Sequence, residues 1–135
     1  MRKIVFTRPD GGVSVVSVPV DTDAALAAAQ AKLPVDAANI QIVDESVIPT
    51  DRTFRDSWVQ SGGGVVVDLP KARDIQEVKI RAAQRKKIRD ILEREALGDN
   101  VAAEKASIRA VNPRTLVDNA NDVAELKSTF PASLR

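Results

Sequence analysis

Between Lys71 and Leu97 the chain holds no proline and no glycine, and strong helix formers dominate the stretch. No other feature narrows the choice of fold as much. It predicts one helix of about seven turns, roughly 40 Å long. The preceding seventy residues are the opposite in character. Pro9, Gly11, Gly12, Pro19, Pro34, Pro49, Gly62, Gly63, Gly64 and Pro70 cut them into pieces too short for a long helix. The chain therefore divides into a punctuated head, residues 1–70, and a helical tail, residues 71–135. The expected class is α+β: a small antiparallel β unit with one crossing helix, then a long helix and a helical hairpin.

Within the head, Lys3–Arg8 and Val13–Val18 read as strands joined through Pro9-Asp10-Gly11-Gly12, which is turn chemistry. Thr22 or Asp21 can cap a helix over the alanine-rich run 24–33, stopped by Pro34, with Leu26, Ala29 and Leu33 on one face. Ile40-Gln41-Ile42-Val43 reads as a third strand, with Ile40 and Ile42 inward and Gln41 outward. In 49–59, Thr50 or Asp51 can cap a short helix that places Phe54 and Trp58 four apart on one face. Gly62-Gly63-Gly64 is a tight turn before a closing strand, 65–69, ended by Pro70. A phosphate cradle is not indicated, because no Gly-Lys-Ser/Thr follows and no helix starts directly behind the glycines.

Within the tail, Ile75, Val78, Ala82, Ala83, Ile88, Ile91, Leu92 and Leu97 form a drifting apolar stripe along helix 71–97, too irregular for a heptad coiled coil. A helix this long must lean on other helices, of its own chain or of another subunit. Gly98 closes it. A second helix is expected over 100–111, ended by Asn112-Pro113. Residues 114–120 form a short irregular or single-turn link, and Asp122 with Glu125 is a capping box for a short helix over 122–130. Pro131 stops that last helix.

Composition removes whole classes of chemistry. The sequence has no cysteine and no histidine, so it offers no disulfide, no thiol nucleophile, no Ser-His pair and no Cys- or His-ligated metal. Asp51, Asp56 and Asp68 are the carboxylates nearest Trp58 along the chain, but none has an evident acid–base partner. No calcium-loop spacing is present. The expectation is a protein without enzymatic activity, catalytic residues, cofactor or metal. No run of eighteen apolar residues occurs and no long hydrophobic region follows Met1–Arg8, which predicts a cytoplasmic protein or part of a soluble assembly.

Two features are candidates for binding. Phe54 and Trp58 are half of the aromatics in a chain that is only 3% aromatic. They are either a hydrophobic plug or a partner anchor flanked by Arg52 and Arg55. Ile75, Val78, Ile88, Ile91 and Leu92 would add the apolar side of a protein-binding helix. Charge supplies the second feature. The formal net charge is only +1, yet residues 71–94 carry nine basic side chains against four acidic ones. Arg81, Arg85 and Arg89 recur every four residues as a basic rail beside Lys86, with Arg73–Glu77 and Arg89–Glu93 available as i,i+4 pairs. The rail is a solvated face, a surface for an acidic protein, or a phosphate contact. The lack of interleaved aromatics and of a DNA-binding module argues against nucleic acid.

The phrases Pro49-Thr50-Asp51-Arg52-Thr53-Phe54-Arg55-Asp56-Ser57-Trp58 and Val67-Asp68-Leu69-Pro70-Lys71-Ala72-Arg73-Asp74-Ile75 resemble small proteins of tailed bacteriophages and prophages, especially those of alphaproteobacteria. The layout of Trp, glycine turn, short strand and long charged helix is similar to that of phage tail and tail-fibre assembly proteins. The resemblance implies a virion-associated structural protein of the tail, neck or fibre-attachment region. Its partners would be other phage structural proteins, in a homo-oligomer or on a symmetric ring or fibre. An assembly chaperone absent from the finished virion, or a nucleic-acid accessory protein using the basic face, are the alternatives. The implied location is the virion, or the host cytoplasm during assembly, and no membrane is involved.

Overall fold

The computed structural model describes residues 1–135 and is α+β, with an antiparallel sheet followed by a long helix and shorter helices. It comprises two compact units, Met1–Asp68 and Leu69–Arg135.

The first unit is built on three antiparallel strands, β1 (Arg2–Thr7), β2 (Val13–Val16) and β3 (Ala38–Asp44), in the order β2-β1-β3. Strand β1 is central, and its alternation divides the core. Ile4, opposite Val16 and Ile42, joins Val18 and Leu26 in one cluster; Val5, opposite Val15 and Gln41, joins Val13, Val43, Trp58 and Val65 in the other. The first face is covered by helix α1 (Asp23–Gln30), whose Thr22 hydroxyl accepts from the Ala25 N–H at 3.1 Å. The second face is covered by a hairpin of β4 (Trp58–Ser61) and β5 (Gly64–Val67). Strand β1 is thus covered on both faces, as the centre of a sheet this small needs to be.

Several expectations for this unit are corrected. Phe54 and Trp58 do not share a helix. The Asp51 carboxylate accepts from the Thr53 N–H and hydroxyl, and a single 3-10 turn at Arg55–Ser57 is closed by the Ser57 N–H and hydroxyl on the Phe54 carbonyl, at 2.9 and 2.6 Å. Trp58 is then extended and pairs with Val67. The closing strand is 64–67 rather than 65–69. Its partner strand 58–61 escapes a hydrophobicity reading because Gln60 and Ser61 are polar. The hairpin loop is Gly62-Gly63, and Gly62 takes the positive φ of 59° that so short a loop requires. In β3 the parity is reversed: Val43 is buried and Gln41 half-buried, whereas Ile40 and Ile42 are exposed. The reason is coverage. Eight-residue α1 does not extend over the edge strand, while the other face lies under the hairpin, where Gln60 Nε2 meets Gln41 Oε1 and the Asn39 carbonyl.

The second unit is organised by helix α2 (Leu69–Ala96), along which pack α3 (Ala102–Arg109), α4 (Pro113–Asp118) and α5 (Val123–Ser128), followed by a 3-10 turn at 132–134. Helix α2 begins earlier than 71 because Pro70 sits in its first turn, where a missing N–H costs nothing, instead of ending a strand. Of the two forms expected for the link at 114–120, the helical one is present and is slightly longer, Pro113–Asp118: Pro113 starts it and the Asn112 side chain caps Thr115 N–H. Helix α5 is narrower than 122–130. Asp122 caps it through Glu125 N–H at 2.8 Å, and the Glu125 carboxylate accepts from Asn121 N–H at 2.7 Å. No helix is long and apolar enough to cross a membrane.

Candidate functional site on the basic side of the long helix

The seam that α2 buries overlaps only in part with the stripe that hydrophobicity picks out. It runs through Ala72, Gln76, Ile80 and Ile91, and includes the half-buried Ala83 and Gln84. The glutamines belong there because they end other helices. Gln76 Nε2 donates to the Leu126 carbonyl at 3.0 Å, and Gln84 Nε2 donates to the Ile108 and Val111 carbonyls at 2.9 and 3.0 Å. Arg73 does the same for Ala120, through Nη2 at 2.7 Å, rather than pairing with Glu77. Of the apolar residues assigned to partner binding, Ile91 is core and Ile75 and Ile88 are half-buried. Val78 and Leu92, at 64% and 42% exposure, lie away from the seam.

The rail at Arg81, Arg85, Lys86 and Arg89 is divided by its surroundings. Arg81 Nη2 reaches Glu77 at 2.8 Å, and Arg114 meets Asp74 and Glu77 at 2.9 Å each and also Asp118. Arg94 pairs with Glu104 at 2.6 Å and Lys105 with Glu95 at 2.7 Å. Arg114 holds the Asp118 carboxyl below the usual carboxylate range, and Arg81, then Arg114, do the same to Glu77. Lys86 lines a separate cavity of about 280 Å³ with Lys87, Asp90 and Arg135. Arg85 and Arg89 remain. They line an open cavity of about 630 Å³ with Ala82, Gln84 and Ile88 of α2 and Arg109 of α3. No carboxylate lines it, and none of its three guanidiniums forms an ion pair. The Arg89–Glu93 pair expected from spacing does not form.

Arg109 was invisible to the sequence reading of this site. It lies twenty residues beyond Arg89, and only the α2–α3 packing, fixed by Gln84, brings it to the same cavity. The aromatic candidates resolve differently. Phe54 and Trp58 are 2% and 1% exposed, so neither presents a surface anchor. The Trp58 ring joins the Val5 cluster, and its Nε1–H is buried without an acceptor. Trp58 also borders an open cavity of about 610 Å³ in the first unit, with Lys3, Arg52, Asp44 and Glu45 of mixed charge. No group of three or more carboxylates gathers as a metal site.

Compared with protein families, curated proteins and solved structures, the chain matches none of them.

Proposed function

We propose that this chain is a structural protein of a tailed-bacteriophage particle, in the tail, neck or fibre-attachment region, that works by binding other proteins and carries out no catalysis. The observation that carries the binding part is the Arg85–Arg89–Arg109 cavity. Elsewhere in the second unit Arg81, Arg94, Lys105 and Arg114 are matched to carboxylates, whereas these three line one concave surface unpaired. Unpaired guanidiniums around a partly apolar hollow suit recognition, since arginine is enriched at interfaces and binds carboxylates bidentately. The phage setting is supported by the resemblance carried by residues 49–58 and 67–75.

Quantitative mass spectrometry of purified, DNA-filled particles from the source phage or induced prophage, with the cell lysate as control, tests this reading. A fixed copy number per particle is the expected result, and a multiple of three or six points to the ring or fibre whose symmetry the protein shares. Presence in the lysate but not in particles replaces the structural role with that of an assembly chaperone.

A further inference from the structure

The geometry points to an acidic amphipathic segment of a partner protein as the occupant of the Arg85–Arg89–Arg109 cavity. This inference rests on the protein-binding reading above and specifies its partner. Charge complementarity is the argument. The cavity collects three guanidiniums without one carboxylate, so each repels its neighbours and none is neutralised within the protein. Arg85 and Arg89 stand one turn apart on α2, about 6 Å along the axis, which matches two carboxylates four residues apart on a partner helix. Arg109 approaches from α3 and offers a third contact off that line. Ala82 and half-buried Ile88 line the same cavity and give an aliphatic surface that one apolar side chain of the same segment can cover. A phosphodiester backbone would use the arginines but gain nothing from Ile88, and no aromatic side chain lines the cavity to stack a base. Gln84 holds the shape, because its amide is committed to the Ile108 and Val111 carbonyls and keeps α3 against α2.

The test is fluorescence anisotropy with the full chain and three labelled probes. These are a short helical peptide with glutamates four apart beside a leucine stripe, the same peptide with each Glu replaced by Gln, and a single-stranded oligonucleotide. The Glu peptide is expected to bind at low salt. Its affinity should fall by about tenfold in the combined variant Arg85→Ala, Arg89→Ala and Arg109→Ala, the summed effect of several exposed ion pairs. The Gln peptide should be weakened to a similar degree. Ile88→Ala, with folding checked by circular dichroism, should weaken the Glu peptide as well. Arg81→Ala, whose guanidinium already faces Glu77 outside the cavity, should leave binding unchanged. Equal binding of the Glu and Gln peptides, an unaffected triple variant, no binding at low salt, or tighter binding of the oligonucleotide at the same arginines each overturns the inference. The two readings fail separately. A protein present at fixed copy number in particles but blind to the Glu peptide keeps its structural role and loses this partner. One absent from particles that binds the peptide through these arginines does the reverse.

Discussion

Trp58 shows how one residue can be both necessary and imperfect. Its ring fills the cluster under β1, so Trp58→Ala should cost about 3–5 kcal/mol in urea unfolding. Its Nε1–H is buried without an acceptor, which is itself unfavourable by about 1–3 kcal/mol. Trp58→Phe removes that donor while keeping most of the ring, so it should cost less than half as much as Trp58→Ala. A Phe variant as unstable as the Ala variant would mean that the indole N–H is satisfied in solution. Gln84 gives the complementary case. Its amide donates to two carbonyls at the end of α3, and Gln84→Glu turns that donor into an acceptor facing them. A loss of about 1–3 kcal/mol is expected from unfolding curves at neutral pH. The aromatic pair at 54 and 58 was legible in the sequence as a hydrophobic feature. Its burial is the plug, one of the two readings the sequence offered; the backbone that carries it was not legible, because four-residue spacing looks the same in a helix and in a turn running into a strand.

At the scale of elements, α2 was legible in its existence and nearly in its extent, since propensity and the absence of Gly and Pro act locally. Its buried side was not legible. Hydrophobicity discards Gln76 and Gln84, which are seam residues because they complete the ends of α5 and α3, and it keeps Val78 and Leu92, which are exposed. The Arg114 cluster joins α4 to α2 through Asp74 and Glu77 and makes this packing sensitive to acid. Glu77 and Asp118 have lowered pKa values in the folded protein, while in the unfolded chain they titrate in the ordinary carboxylate range. The unfolded state therefore takes up protons first. Stability is fully present above about pH 5 and is lost as the pH falls through the lowered folded values. Arg114→Met should flatten the fall in unfolding free energy between about pH 5 and about pH 3. An unchanged slope would assign the acid sensitivity to Glu77 held by Arg81 alone, or to Asp21 and Asp44 in the first unit, whose pKa values are also lowered, by Arg2 and by Ser46.

For the molecule as a whole, charge is partitioned by unit. Residues 1–68 carry six basic and nine acidic side chains, and residues 69–135 carry fourteen and ten. A net charge of +1 hides units of −3 and +4. Copies should therefore attract one another near the isoelectric point of about 8.0, with the acidic unit of one copy facing the basic unit of another. Static light scattering at pH 8 should show attraction at low salt that weakens once added salt shortens the Debye length to about 8 Å. Attraction insensitive to salt would locate self-association in apolar surface such as exposed Ile40 and Ile42 instead. The sequence by itself determined what depends on neighbours along the chain: the α+β class, the Gly/Pro punctuation of the head, a cap at Thr22 or Asp21, the Asp122 cap and the long helix. These follow from backbone preferences and side-chain reach of a few residues. Tertiary structure alone decided which face of β3 is covered, that Trp58 starts a strand, and that Arg109 joins Arg85 and Arg89 while Arg81 is neutralised. Those outcomes depend on which element lies alongside which. Burial and ion pairing are set by distance in space, and local spacing carries no record of it.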